Sequence, residues 1–417
     1  MTKSETMPQL MNNQLPFVHL RILELASVLA GPQVGQFFAE LGAEVLKIES
    51  PAGDVTRNWK TSAETAAIPV AQAAGDTSVS AYFSASNWGK KSLVLDLTAA
   101  AGQTELHRLA ATADIILTSY TPGDAEQLRA DYVTLAAENP RLIYGHLTGY
   151  GPENVRAGYD AVLQAEAGFM YLNAAGPGQP PQKMPVAMVD LLAAHQLKEG
   201  LLTALFQRER TGRGALVQAS LLDSALSALA NQAATYLVTG HDPQPLGSGH
   251  PSIVPYGTVY RAANAHQLVL AVGSDGHFRQ LCAALGRPEW ATDCRFATNT
   301  ARVAHRPELE TLLTEAIAAV DGDTLLAELE RRAVPAGAVR SVGEALRLPS
   351  AQAMALPAVG GTRMGLRTVA FRSSAWVAAA QLSVPPGLGT AHSTDFFAPL
   401  PVGNATPAVL PSVPPLV

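Results

Sequence analysis

The chain is poor in cysteine. Cys282 and Cys294 are the only two in 417 residues, so a disulfide-stapled fold is excluded. They lack CxxC spacing and no His/Cys cluster accompanies them, so no metal site is predicted. Both are expected to be buried thiols. Charge is scarce too: Asp, Glu, Lys and Arg make up 15% of the residues and the net charge is −6. That balance gives no global basic signature for nucleic acid. No apolar run approaches the roughly 20 residues of a membrane span. The opening MTKSETMPQLMNNQLPF lacks the apolar core of a secretory signal. The expectation is a soluble cytoplasmic protein with no nucleic-acid or membrane partner. Familiar catalytic motifs are also missing. There is no GxSxG and no HExxH. The first strand–helix turn reads Ala30-Gly31-Pro32 rather than GxGxxG, which leaves a dinucleotide site weakly supported. Gly89-Lys-Lys-Ser92 looks like the end of a Walker A motif, but Ser84 replaces its first glycine and Lys91 its Ser/Thr.

What is present is apolar bulk. Hydrophobic residues make up 47% of the chain, enough for a large core and too many for disorder. The length exceeds one typical core and predicts two domains. Arg21–Leu25 reads as a strand. Pro32 suits the start of a helix that stops at Gly42, and 43–49 is a second strand. This is a βαβ unit, which implies parallel strands and a right-handed crossover. Strands over 92–97, 114–118 and 141–147 and a helix over 100–112 continue the alternation into an α/β layer. Ligands of such sheets bind at the carboxyl ends of the strands. Those ends are Val28–Gly31, Glu49–Pro51, Ser119–Gly123 and Thr148–Gly151. Residues 61–80 read as a flexible loop, 215–219 as a strand and 221–239 as one long helix.

The later region differs in pattern. A β-hairpin is expected over 256–261 and 267–272, then helices over 276–285, 307–319 and 323–332, giving an α+β unit. Short strands return after about 345, and a Pro-rich tail begins at Pro399. The predicted organisation is therefore a large α/β domain over 16–240, a small α+β domain with its linkers over 241–345, a return to the large domain over 346–398, and a tail over 399–417.

Pro185 to Gly214 organises the rest. Val186–Val189 reads as a short buried strand that stops at Asp190. Leu191, Ala194, Leu197, Leu201, Leu205 and Phe206 then recur at helical spacing. Arg208, Arg210 and Arg213 with Gly212 and Gly214 mark a helix C-terminus. Asp190 is thus expected as an N-cap, where unpaired amides and the helix dipole favour the ionised carboxylate. A fixed, charged carboxylate at such a corner is a usable nucleophile. The same residue could serve as a cap and nothing more.

Several blocks occur in a fixed order: AGPxxxxxxAELGAEVLKIE (30–49), GDVTRNW (53–59), NWGKKSLVLDL (87–97), NPRLIY (139–144), GYGP (149–152), GYDAVLQA (158–165), the stretch ending TGRG (211–214), and GHPSIVPYGTVY (249–260). The set resembles the family III CoA-transferases, the CaiB/BaiF group that includes formyl-CoA:oxalate CoA-transferase, over about residues 16–395. The resemblance implies a Rossmann-like large domain built from both chain ends, a smaller α+β domain, and ring-shaped monomers interlocked as a homodimer. It implies transfer of CoA from an acyl-CoA to a small carboxylic acid, with CoA as substrate and no permanently bound cofactor. Asp190 matches the family nucleophile. Val28, Leu29, Ala30, Leu95, Ser119 and Tyr120 match positions around CoA, with Leu95 near the adenine. Tyr159 matches a position beside the thioester. The amides of Gly247-Ser-Gly249 match a loop that closes over the intermediates and stabilises negative oxygen.

Some positions depart from the oxalate enzyme. Leu29 stands for a glutamine, Ser50 for an arginine near the CoA phosphate, and Ser119 for an asparagine. These changes count against oxalate. With Phe169, Met170 and Tyr171, Leu29 points to a less polar acid. Arg57, Lys90, Lys91 and Arg156 either supply positive charge in place of the arginine or are solvated surface charges. Two other readings share the motifs. One is a 2-methylacyl-CoA racemase or epimerase, which uses a His where this chain has Tyr159; a neutral Tyr is a poor base near pH 7. The other is a catalytically silent CoA-binding protein.

Overall fold

A computed structural model describes residues 15–66, 79–360 and 364–396. The expected tail, residues 1–14 and most of the expected 61–80 loop lie outside the described residues. The chain forms two compact units. One comprises residues up to Gly158, Asp190–Ser224 and the part from Met354 onward; the other comprises Tyr159–Val189 and Ala225–Ala353.

The first unit is built on six strands: β1 (Arg21–Glu24), β2 (Glu44–Glu49), β3 (Lys90–Val94), β4 (Ile115–Thr118), β5 (Ile143–Thr148) and β6 (Ala215–Ser220). Their order is β3-β2-β1-β4-β5-β6 and every pair is parallel. This is the order of the doubly wound dinucleotide-binding sheets, whose strand order reverses between the first and fourth strands. The expected α/β layer is therefore present. Strands buried on both faces read as apolar runs, and Ile115–Leu117 and Ile143–Tyr144 are all buried. One face packs Leu23, Leu46 and Ile116 against Leu106, Leu109 and Leu135 from helices. The helix Ala30–Glu40 can approach β1 because Gly31 lies over Ala26, where a β-carbon would overlap the alanine's own. Beyond β5 the chain loops out at Gly149 and returns at Gly158. Their backbones touch, so a β-carbon on either would meet the main chain of the other.

The second unit holds an antiparallel sheet of β7 (Tyr256–Arg261), β8 (Gln267–Ala271) and β9 (Ala336–Ala338). The hairpin matches expectation. The third strand, Ala-Gly-Ala, carries no β-branched or aromatic signal and was not anticipated. Helices Asp275–Ala284, Arg306–Ala318 and Gly322–Arg331 bury Phe278, Leu281, Leu309, Leu313, Ile317 and Leu325 beside the sheet. The Ser274 hydroxyl accepts from the His277 amide at 3.1 Å and caps the first of these.

Other expectations need correction. The single helix over 221–239 is two, Leu221–Ala228 and Asn231–Thr239, broken where Ala230 takes φ 46°. Alanine gives no sequence sign of a break. Cys282 is buried, but Cys294 is exposed. Among the described residues no helix is long and apolar enough to cross a membrane.

Candidate active site

The adjoining ends of β1 and β4 carry most of the residues expected around CoA. Ser27 donates its amide to Ser119 Oγ at 3.4 Å, which joins the two loops. Val28 sits at φ 70°. A β-branched side chain in the left-handed region is strained, and such strain concentrates at functional sites. Leu29 is buried at the N-cap of the Ala30–Glu40 helix and Ala30 opens it. Tyr120 and Leu95 pack against the same apolar cluster, Leu95 just past β3. Burial pushes the Tyr120 phenol up to about 12, although Lys47 pulls it down, so it stays protonated at neutral pH. The Tyr120 carbonyl accepts from His146 Nε2 at 3.0 Å. The structure thus gathers Val28, Leu29, Ala30, Ser119 and Tyr120 at one switch point, with Leu95 two strands away.

Beneath the β1 end lies a charge network that the sequence did not reveal. Glu24, fully buried, receives Lys47 at 3.1 Å and Lys90 at 2.7 Å. Lys90 also donates to the Pro32 carbonyl and Asn87 Oδ1, each at 2.9 Å. Lys47 pairs with Asp54 at 3.0 Å and donates to the Ala26 carbonyl at 2.8 Å. Arg57 clasps Glu49 through Nε and Nη2 at 2.8 and 2.6 Å, and Ser92 adds a hydroxyl at 2.6 Å. Glu49 is therefore committed to the protein and is not presented to a ribose. Lys90 and Arg57 are buried, which corrects the solvated-surface reading for both; their carboxylate partners lie far off or behind a loop in sequence. Lys91 pairs with Glu44 at 3.0 Å and is exposed, and exposed Arg156 stacks over Tyr150.

Burial sets the energetics of the network. It pushes the Glu49 and Asp54 carboxyls up, but Arg57 and Ser92 around the first and Lys47 and Thr56 around the second outweigh it, so both lie below the usual carboxylate range. Burial also pushes Lys47 down, yet three carboxylates hold it above its usual value. For Lys90 burial wins, and the amine falls to about 8 against the pull of Glu24.

Asp190 is not an N-cap, and no strand precedes it. The helix runs over Met188–Thr211, which puts Asp190 in its first turn. The N-terminus is held from elsewhere: Asp160 Oδ1 accepts from the Val189 amide at 2.9 Å. Asp160 therefore caps this helix rather than its own, which spans Asp160–Glu166. Its second oxygen takes Gln164 Nε2 at 2.8 Å and faces Lys183 at 3.3 Å. Asp190 opens the buried stripe of the helix, followed by Ala194, Leu197, Leu201 and Ala204, and is itself only 8% exposed. A carboxylate in a helix first turn gains from the dipole and the unpaired amides. Phe206, expected on the apolar face, is 68% exposed instead. At the other end Arg208 pairs with Asp114 at 3.0 Å and Gly212 takes φ 71°, the expected helix stop.

Three expected site residues belong to the second unit. Tyr159 is exposed. The Gly247 amide donates to the Ala174 carbonyl at 3.2 Å and the Gly249 amide to the Leu246 carbonyl at 3.0 Å. Both amides are engaged within the second unit. Phe169, Met170 and Tyr171 lie in the short helix Phe169–Leu172, which has no buried residue.

The profile of CoA-transferase family III matches residues 18–391. The chain belongs to that family. It is 38% identical over 355 residues to a succinate–glutarate CoA-transferase of Agrobacterium fabrum, covering 84% of this chain and 86% of the relative. It is 34% identical to the mouse succinyl-CoA:glutarate CoA-transferase, covering 78% and 72%. A CaiB/BaiF family protein from Brucella suis superposes with a TM-score of 0.77 at 37% identity, over 90% of this chain and 97% of that one. As a family III CoA-transferase the protein is an enzyme that exchanges CoA between acyl-CoA thioesters and carboxylic acids. The residues that sequence reasoning missed in this CoA-transferase are Glu24, Lys47 and Asp54. The available signal was Lys47 itself, a lone cation inside the apolar run of β2.

Proposed function

We propose that this CoA-transferase works through covalent intermediates on Asp190. An Asp190 carboxylate oxygen attacks the acyl-CoA carbonyl, the C–S bond breaks, and CoA thiolate leaves a mixed anhydride. The thiolate attacks the aspartyl carbonyl, the donor acid departs as carboxylate, and an aspartyl-CoA thioester remains. The acceptor carboxylate attacks that thioester and displaces the thiolate, which then takes the acceptor's acyl group and restores Asp190. No net proton is consumed. The observation that carries the reading is the setting of Asp190: in the first turn of a 24-residue helix, nearly stripped of water, beside an amide that Asp160 fixes. A carboxylate is a weak nucleophile in water and a stronger one where water is excluded.

CoA is assigned to the β1/β4 strand ends, with Val28, Leu29, Ala30, Leu95, Ser119 and Tyr120 around it and Tyr159 near the thioester. The acceptor is assigned to the dicarboxylic acids longer than oxalate. Leu29 offers no polar group to a compact dianion, and two relatives are named for glutarate. Assembly as a homodimer of ring-shaped monomers, residence in the cytoplasm, and the large and small domains bounded near residues 240 and 345 stay parts of this proposal.

The test is chemical trapping. Enzyme incubated with succinyl-CoA and then hydroxylamine or borohydride should show a mass change on the peptide carrying Asp190. An unlabelled Asp190 under turnover would overturn the covalent route. Exchange of the α-proton of a 2-methylacyl-CoA in D2O, without any acid acceptor, would instead mark a racemase.

A further inference from the structure

The strained turn after β1 is gripped from both sides by one buried ion pair. Lys47 Nζ donates to the Ala26 carbonyl at 2.8 Å. Asp54 Oδ2 accepts from the Val28 amide at 3.3 Å. Lys47 and Asp54 pair with each other at 3.0 Å, and each is almost completely buried. Asp54 is itself fixed, since its other oxygen accepts from the Thr56 amide at 3.0 Å and the Thr56 hydroxyl at 2.7 Å. Its own amide donates to Glu49 at 2.9 Å. Between the two grips lies Val28 at φ 70°. Valine reaches that region only when its surroundings impose it. A buried pair holding such a turn has a role that packing does not require, because burying two charges is costly and an apolar pair would fill the same space.

We infer that Asp54 and Lys47 are positioning residues of the transfer reaction: they hold the Val28 peptide in the conformation that shapes the CoA crevice. Neither touches substrate. Both act through the main chain of Ala26–Val28. The inference rests on the assignment of CoA to the β1/β4 strand ends.

The experiment is a double-mutant cycle. Asp54→Ala frees the Val28 amide, and the turn relaxes toward a conformation that valine prefers. The KM for succinyl-CoA should rise about tenfold, the scale of releasing one strained residue, with kcat changed less than about twofold and the melting transition still cooperative. Val28→Gly removes the need for the grip, because glycine takes a positive φ without strain. In the Val28→Gly background the effect of Asp54→Ala should therefore shrink to about twofold or less. The same effect in both backgrounds, or an effect on kcat alone, would overturn the inference. Should Asp54→Ala fail to fold, Asp54→Asn takes its place, because one carbonyl oxygen still serves the Thr56 amide while an NH2 group faces Val28. Ser119→Trp separates the two possible failures. It fills the mouth between the strands, so CoA affinity measured by calorimetry should be lost. Retained affinity there would remove the crevice assignment itself. Lost affinity there, combined with additive Asp54 and Val28 effects, would remove the positioning role alone.

Discussion

The two units handle buried charge in opposite ways. The first places Glu24, Lys47, Lys90, Glu49, Asp54 and Arg57 inside, reaching from the carboxyl ends of β1 and β2 to Lys90 at the start of β3. The second keeps its core apolar around Phe278, Leu313 and Leu329. Its one fully buried charged residue among those described, Arg302, is satisfied by the Val254 and Phe296 carbonyls and by Asp275, each at 2.8 Å. A parallel sheet buried on both faces leaves little room for polar groups except at its strand ends, and that is where ligands of such sheets bind. Under the positioning role proposed for Asp54 and Lys47, the contrast teaches that ionic burial serves geometry in the first unit, whereas the second unit's interior serves cohesion.

The largest expected effect tests the chemistry proposed for Asp190 in the first unit. Asp190→Ala should lower the rate of CoA transfer on the order of a thousandfold or more, with CoA affinity and melting temperature nearly unchanged. A matching collapse of the fold would mean that Asp190 serves the helix rather than the reaction. Next comes Lys90→Met, which leaves Glu24 with Lys47 alone. It should cost about 3–5 kcal/mol in urea unfolding and should also raise the KM for acyl-CoA, because Lys90 holds the Pro32 carbonyl at the start of the first helix. Leu313→Ala in the second unit should cost about 2–5 kcal/mol and leave kcat/KM at 25 °C untouched. If the two variants altered kinetics alike, the division between geometry and cohesion would break.

Acid sharpens the same division. The folded state holds Glu49 and Asp54 below their ordinary values of 4.5 and 3.8. Their contribution to stability is complete above those values and is lost as pH falls through the depressed folded ones. Stability measured between pH 7 and 3 should hold to about pH 5 and then decline, and an Asp54→Asn variant should decline less steeply. The smallest effect belongs to Ser274→Ala, about 1 kcal/mol from a lost cap, with no kinetic change.

Much of this was legible in the residues. Alternating strands and helices gave the α/β layer, and the hairpin fell where its residue types put it. The strand ends carrying Val28–Ala30 and Ser119–Tyr120 followed from the parallel arrangement alone. The failures have physical causes. Four apolar residues before Asp190 fit a strand or a helix equally, since so short a run has no measurable period. The cap of that helix comes from Asp160, 29 residues upstream, where local pattern is blind. Lys90 and Arg57 looked like surface charges because a buried charge is recognised by its partner, and Glu24 lies 66 residues from Lys90.

The touching glycines after β5 have a consequence of their own. GYGP and GYDA look like separate motifs, yet Gly149 and Gly158 close a single neck, main chain against main chain. No neighbour can be trimmed to make room for a side chain there, so the pair can only be kept together. What the neck encloses is under no such restraint: Glu153–Arg156 is exposed at the tip. A foreign peptide spliced into that tip should be carried as cargo by a stem that does not register the load.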